Sequence, residues 1–400
     1  KYMTIWQLLD RACARHGGRT AAIFAENRLS LSWYDLRERS SDVAAGLLAL
    51  GIGRGDRVGI WAPNRAEWLY TQFAAARIGA ILVNINPAYR SSELEYALNK
   101  VGCKALIMAR RHRSSDYVEM LRAVAPEIDR EANLLQAAKL PKLKHVVVLD
   151  DGPHPRGMRL FSQLLSLAGP GHRGRLDGLS AALDPDDAIN IQFTSGTTGS
   201  PKGATLTHFN IVNNARYAAK AMALSAEDRL CIPVPLYHCF GMVLGVLTCT
   251  AVGAGMVFPG EGFDAEATLA AVARYKCTAL HGVPTMFISQ LEHANFPNYD
   301  TSTLRTGIMA GAPCPIDTMR AVIDRMHMRE VTIGYGMTET SPLSFQSRTD
   351  DPIDRRVSTV GRILPHVEVK IVDANGKVAR LGESGELCTR GYGVMRGYWD

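Results

Sequence analysis

Phe193-Thr-Ser-Gly-Thr-Thr-Gly-Ser-Pro-Lys-Gly203 is the stretch on which the reading of this chain turns. Hydroxyl residues and glycines fill it, and one lysine stands near its end. An apolar run at 188–193 leads into it, and a helical pattern starting near Thr207 follows. Amides and hydroxyls donate to phosphate oxygens, glycines let the backbone come close, and lysine adds positive charge, so this is the composition of a loop that wraps polyphosphate. It is not a Walker loop. That pattern needs two glycines separated by four residues with Lys-Ser/Thr directly after, whereas Gly196 and Gly199 are separated by two, Pro201 precedes Lys202 and Gly203 follows it. A flexible linker has a similar composition, but linkers rarely lie between a strand and a helix of an alternating pattern.

That alternation extends in both directions. Upstream, 57–61, 80–84, 104–108 and 145–149 read as short apolar strands, with helices at 66–78, closed by Gly79, and at 92–101. Apolar strands alternating with helices imply a parallel sheet covered on both faces. The pattern breaks at 156–184, where Gly, Pro and Arg accumulate and a connection is expected. Downstream, strands are expected at 188–193, 229–234, 256–258, 277–281, 305–309 and 331–335, with helices at 207–222, 265–275, 284–293 and 316–326. After Ser341 the residues alternate polar and apolar through 366–372, turn at Asp373-Ala-Asn-Gly376 and return through 385–390, which is a hairpin with one solvated face. The expected fold class is α/β: a parallel-sheet subdomain over 1–185, a second over 186–345, and a small antiparallel β-barrel-like module over 346–400.

Composition narrows the function classes. The chain has 400 residues, 46% hydrophobic and 21% charged, with a net charge of +6, the profile of an ordinary globular protein large enough for two or three domains. The densest basic cluster, Arg110-Arg-His-Arg113, has no interleaved aromatics, so no nucleic-acid partner is expected. The eight cysteines form no C-x-x-C pair and read as buried free thiols of a reducing compartment, which points to the cytoplasm. Residues 240–258 are uncharged and long enough to span a bilayer. Prolines bracket the segment, glycines interrupt it and cationic anchors are absent, so a buried helix followed by a buried strand is expected instead.

Four further turns gather functional residue types after expected strands, where ligands of open α/β sheets bind. They are Pro235-Leu-Tyr-His-Cys-Phe-Gly241, Ala310-Gly-Ala-Pro313, Gly334-Tyr-Gly-Met-Thr-Glu-Thr-Ser-Pro342 and Gly382-Glu-Ser-Gly-Glu-Leu-Cys-Thr-Arg-Gly391. His238 sits among aromatics on the first; such a histidine is as often structural as functional. The second offers small residues against which a flat ring can lie. The third has an aromatic face, a hydroxyl and a carboxylate, parts suited to a base, a phosphate and Mg²⁺. The fourth alone is an ordinary glycine-punctuated hairpin.

Taken together, these stretches resemble the adenylate-forming superfamily of acyl- and aryl-CoA synthetases, luciferases and peptide-synthetase adenylation domains. Thr194 to Gly203 and Tyr335-Gly-Met-Thr-Glu339 match its two hallmarks, and Gly361-Arg362, Gly385-Glu-Leu387 and Gly397-Tyr-Trp399 follow in the expected order. Tyr237-His-Cys-Phe-Gly-Met242 and Met309-Ala-Gly-Ala-Pro-Cys314 are most similar to the medium- and long-chain fatty acyl-CoA synthetases. The resemblance implies that Thr194, Ser195, Gly196, Thr197, Thr198, Gly199 and Lys202 hold the β- and γ-phosphates of ATP. Gly311, Ala312, Pro313 and Tyr335, with Gly336 and Met337 beside them, would enclose adenine. Thr338 would bond the α-phosphate, Glu339 would coordinate Mg²⁺, and His238 would border the acid's carboxylate. Phe240, Gly241, Met242, Val283, Ala310, Gly336 and Met337 would line an acyl tunnel. The implied partners are a fatty acid, ATP and CoA; peripheral membrane contact and a homodimer are compatible with the resemblance.

The family continues past the Gly397-Tyr-Trp399 match to a ribose-binding aspartate, a hinge and a small mobile C-terminal domain that carries a catalytic lysine. These 400 residues resemble the N-terminal domain alone, so impaired adenylation and no thioester formation are expected of them by themselves. No carboxylate lies between Arg229 and Glu261 to pair an amino acid's ammonium. Aryl-acid ligation, acyl-AMP ligation without CoA, luciferase chemistry and a non-catalytic ATP-binding scaffold remain as alternatives.

Overall fold

β-branched and apolar residues in runs of four or five, too short for helices, form strands buried on both faces. A computed structural model describes residues 1–130, 134–195 and 199–400. Among these, one sheet has eight strands in the order Gly397–Trp399, Lys202–Thr207, Ala188–Thr194, Ile81–Asn84, Arg57–Trp61, Ala105–Met108, His145–Val148, Met158–Leu160. A second has nine, in the order Arg362–Ile363, Leu343–Gln346, Glu330–Gly336, Thr306–Met309, Ala279–Leu280, Arg229–Cys231, Gly255–Phe258, Thr20–Phe24, Leu29–Ser32. Both are parallel at their centres, and antiparallel strands join at edges of each.

The sheets do not follow the sequence order of the expected blocks. The hairpin of Ala188–Thr194 and Lys202–Thr207 extends the sheet built by residues 57–160, while Thr20–Phe24 pairs with Gly255–Phe258 in the other. Helices Ile5–His16, Trp33–Ala49, Ala66–Ile78 and His208–Ala221 contribute to one core cluster that also draws on strands of both sheets. Ala66–Ile78 is buried on nearly every side and ends at Gly79 with φ 76°, a left-handed position where glycine is unstrained. Arg77 on that helix is buried, yet its guanidinium donates to Ser41 and Asp177 and lies 4.3 Å from the Trp6 ring centre, which offsets its desolvation.

Several expectations need correction. Residues 156–184 are not a bare connection: they contain strand Met158–Leu160 and helices Phe161–Ser166 and Pro170–Ala181, the last anchored by buried Leu176 and by Asp177 on Arg77. Lys202–Thr207 is a strand, so the phosphate-type loop is a hairpin tip rather than a strand-to-helix turn. Of the antiparallel module, the described residues form a two-stranded sheet, Val367–Val372 with Glu386–Gly391, while the strands around it join the large sheets. Seven of the eight cysteines are buried and all are free. No helix among the described residues is long and apolar enough to cross a membrane; residues 239–252 are a short α-turn, a π-helical stretch Met242–Leu247 and helix Thr248–Val252, buried except for half-buried Phe240, Ala251 and Val252.

Candidate active site

The hairpin Ala188–Thr194/Lys202–Thr207 carries the phosphate-type loop at its tip. Thr194 and Lys202 face each other at the base, where the Thr194 hydroxyl donates to the Lys202 carbonyl at 3.4 Å. The Tyr96 hydroxyl donates to the Pro201 carbonyl at 2.8 Å and fixes the loop's second limb. Gly199 has φ 112°, a conformation that L side chains rarely adopt. Ser195 and Lys202 are exposed. Gly196, Thr197 and Thr198 lie outside the described residues. Helix His208–Ala221 begins at the far end of the second strand, and its first amides are occupied by the Thr207/Asn210 capping box. Its dipole therefore does not serve the loop, unlike the helix of a Walker site.

The His238 turn is tied to the same strand. Asn84, Asn190 and Gln192 form a buried amide ladder in which Asn190 Nδ2 donates to Asn84 Oδ1 at 3.0 Å and Gln192 Nε2 to Asn190 Oδ1 at 2.8 Å. The ladder continues into the turn: Asn84 Nδ2 donates to the Tyr237 carbonyl at 2.8 Å and to Met242 Sδ at 3.1 Å, and Gln192 Nε2 to Cys239 Sγ at 3.1 Å. Gly241 closes the turn; a Cβ there would lie 2.2 Å from the Pro235 carbonyl oxygen. His238 is exposed at the surface, and the protein packed around it lowers its pKa from the ordinary value by desolvation. The shift favours the neutral imidazole.

Phe240 is half-buried against His281, ring centres 5.2 Å apart. His281 is wholly buried: its Nδ1 accepts from the Ile308 amide at 3.0 Å, so its Nε2–H donates to the Leu244 carbonyl at 2.7 Å. Burial pushes its pKa down to about 4, which keeps it in that neutral tautomer. It pins the π-helical stretch to strand Thr306–Met309. Gly241 and Met242 are buried inside the wall, Met242 only 1% exposed, whereas Phe240, Val283 and Ala310 are half-buried and Met337 is 51% exposed. The residues expected to line a tunnel thus divide between the cleft surface and the layer behind it.

Strands Thr306–Met309 and Glu330–Gly336 pair in parallel with Met309 beside Ile333, so the turn at 310–313 and the strand end at 334–337 emerge side by side. Gly311, Ala312, Pro313 and Tyr335 are exposed there, and Val283 Cγ1 lies 3.1 Å from where a Gly311 Cβ would stand. Tyr335 meets Phe345 edge-on at 5.9 Å. Gly336 tolerates no side chain, since a Cβ would fall 1.8 Å from the Pro342 carbonyl oxygen. Thr338 and Glu339 follow on a single 3₁₀ turn, Thr338–Thr340. The Glu339 charge reaches the Cys239 thiol, which burial first and this carboxylate in addition push up to about 12.

The phosphate loop and the Glu339 turn are joined by a residue absent from the sequence-derived set. The Tyr398 hydroxyl donates to Glu339 Oε2 at 3.0 Å, and Lys202 Nζ lies 5.0 Å from the Tyr398 ring centre. Tyr96, Asn84, Gln192 and His281 were also outside that set. Asn190 and Gln192, polar residues two apart in an otherwise apolar strand, were a readable signal; Tyr398 had none beyond its place in a terminal motif. No cluster of three or more metal-type side chains occurs among the described residues. One carboxylate beside a phosphate loop instead fits a Mg²⁺ that arrives on a nucleotide, since Mg²⁺ is commonly held by one or two carboxylates plus substrate phosphates.

The chain is similar to known proteins along nearly its whole length. The family model described as AMP-binding enzyme matches residues 9–399. YngI of Bacillus subtilis (strain 168), provisionally named an acyl-CoA synthetase, is 45% identical over 400 residues, which cover 100% of this chain and 72% of that protein. The mitochondrial medium-chain acyl-CoA ligase ACSF2 of Danio rerio is 42% identical over 400 residues, 99% of this chain and 66% of the relative. The chain thus spans about two thirds of the curated relatives it matches. Among solved structures, the anthranilate CoA ligase AuaEII in complex with anthranoyl-AMP superposes with a TM-score of 0.86 at 24% identity, over 100% of this chain and 71% of that one. The N-terminal domain of FACL13 from Mycobacterium tuberculosis gives 0.84 at 23% identity, over 99% and 91%. At such identities the structural likeness bears on the fold.

Proposed function

The chain belongs to the AMP-binding enzyme family, and from that membership we propose that it carries the adenylating cleft of an AMP-forming acyl-CoA synthetase whose acid is a medium- or long-chain fatty acid. The supporting observation is that the phosphate-type loop and the Glu339 turn meet across one side chain, Tyr398, beside the His238 turn.

In this reading Lys202 and the loop hydroxyls hold the β- and γ-phosphates, and Glu339 receives the Mg²⁺ carried by ATP. The Thr338 hydroxyl bonds the α-phosphate. Adenine lies between Tyr335 and residues 311–313. A carboxylate oxygen of the fatty acid attacks the α-phosphorus, the bond from that phosphorus to the bridging oxygen breaks, and pyrophosphate leaves with the bond's electrons. The CoA sulfur then attacks the acyl carbon, its proton is lost, and AMP departs. Both reactants of the first step are anionic, so neutralisation and alignment supply most of the acceleration. Neutral His238 can approach the acid without adding charge, and its N–H can orient one carboxylate oxygen. Supporting the acyl specificity are the apolar wall behind Phe240, the absence of any carboxylate between Arg229 and Glu261, and relatives named for medium-chain acids. The unpaired thiols support a reducing compartment, and we place the protein in the cytoplasm.

ATP–pyrophosphate exchange by the natural-length protein, with a panel of acids, tests this. Exchange is expected with dodecanoate and not with benzoate or amino acids. ATP binding without exchange for any acid would overturn the reading in favour of a scaffold.

A further inference from the structure

Residues 392–399 run as a strap between the phosphate-loop hairpin with the helix after it and the Glu339 turn. Asn210 Nδ2 donates to the Tyr392 and Val394 carbonyls at 2.6 and 3.2 Å, and the Ser341 hydroxyl donates to the Gly393 carbonyl at 2.6 Å. The Met395 amide donates to the carbonyl of Glu339 itself at 2.9 Å, and the Arg396 amide to the Thr205 carbonyl at 2.9 Å. The strap then pairs with the phosphate-loop strand, placing Tyr398 opposite Ala204, two residues from Lys202 and on the same face. On the other face the Arg57 guanidinium lies 4.9 Å from the Trp399 ring centre. Tyr398 is 42% exposed, and its backbone is held along one edge by pairing with the phosphate-loop strand.

An ammonium and a carboxylate that both face one cleft attract each other, and a direct pair would occupy the room that phosphates and their cation need. Here a phenol ring stands between them: the cation rests on its face and the carboxylate accepts from its hydroxyl. We infer that Tyr398 is a positioning residue that holds Lys202 and Glu339 apart and aims the Glu339 carboxylate at the cation of MgATP. The inference rests on the nucleotide site proposed above. The ring and the hydroxyl do separable work. The ring keeps the ammonium from the carboxylate, which serves any polyphosphate; the hydroxyl orients the carboxylate, which serves only the metal-bearing form.

The test is calorimetric binding of MgATP, and of ATP in excess EDTA, to the natural-length protein and to Tyr398→Phe and Tyr398→Leu. Tyr398→Phe keeps the ring, so its Kd for metal-free ATP is expected within twofold of wild type, which also reports that the variant is folded. Its Kd for MgATP is expected to rise about three- to tenfold, the effect of losing one hydrogen bond to a charged group. Tyr398→Leu is expected to weaken both ligands, metal-free ATP by about two- to fivefold through loss of the cation–π contact. A Tyr398→Phe protein with wild-type MgATP affinity, or with both affinities reduced equally, overturns the inference. Absence of exchange with every acid by the wild type would instead overturn the proposed function and leave these binding results standing.

Discussion

Gly241→Ala asks whether the His238 turn is held where it must be. The added methyl would sit 2.2 Å from the Pro235 carbonyl oxygen, 2.6 Å from its carbon and 2.8 Å from Leu236 Cα. All three neighbours are backbone, and ordinary contact begins near 3.4 Å, so the turn must give by about an ångström. Alanine in this helical turn recovers up to about 1 kcal/mol of propensity, but overpacking costs about 1–3 kcal/mol, so the net effect is modest destabilisation. The larger consequence is geometric: moving the backbone that carries His238 by about 1 Å is expected to lower exchange turnover about 100-fold. Gly245→Ala is the control. The nearest neighbours of its methyl would be side-chain atoms of Ile232, at 3.0, 3.1 and 3.4 Å, rather than backbone, and it is buried in the interior; turnover is expected within about threefold of wild type after a comparable stability cost. Urea denaturation and pyrophosphate exchange on both variants give the answer. Gly241→Ala with wild-type turnover, or two variants equally impaired, would refute the claim that this glycine sets the position of His238.

Lys202→Ala should leave the unfolding midpoint nearly unchanged, because the side chain is exposed and loses only a surface cation–π contact of about 0.5–1 kcal/mol, while exchange falls about 100-fold or more. Asp228 should confer an acid-sensitive share of stability. Burial by itself would raise its pKa, but hydrogen bonds from Arg305, Thr278 and the Ser225 amide outweigh that and hold it below the ordinary carboxylate value. Its stabilisation is therefore fully present above the unfolded-state pKa of about 3.9 and is lost as pH falls through the lower folded value. Asp228→Asn is expected to cost about 2 kcal/mol at pH 7 in urea titrations, and the gap from wild type should narrow below about pH 4; a gap independent of pH would refute the ionic account.

How legible the fold was depended on whether local pattern and tertiary context agreed. Ala66–Ile78 with its Gly79 stop was readable residue for residue, because a run free of Gly and Pro leads directly into a left-handed glycine cap. Pro170–Ala181 was not: Gly171, Gly174 and Gly178 each disfavour a helix by about 1 kcal/mol, and tertiary contacts compensate, among them burial of Leu176 and the pairing of Asp177 with Arg77 and of Arg173 with Asp42. Lys202–Thr207 also escaped, since Lys-Gly-Ala-Thr-Leu-Thr has one large apolar residue and a glycine and reads as more loop; it becomes a strand because partners pair with both its edges.

In the site, side-chain chemistry was local and arrangement was not. The hydroxyls, glycines and lysine of 194–203, the carboxylate of Glu339 and the imidazole of His238 announce what they can bind by type and spacing alone, and their order along the chain carried the family resemblance. Which sheet each strand would join was settled by long-range pairing, to which a period of two or 3.6 residues is blind. That pairing carries Tyr398, almost 200 residues beyond the phosphate loop, to a place between Lys202 and Glu339. The parts of a polyphosphate site are written in the sequence; the ring that keeps its opposite charges apart exists only once two distant backbone segments have found each other's hydrogen bonds.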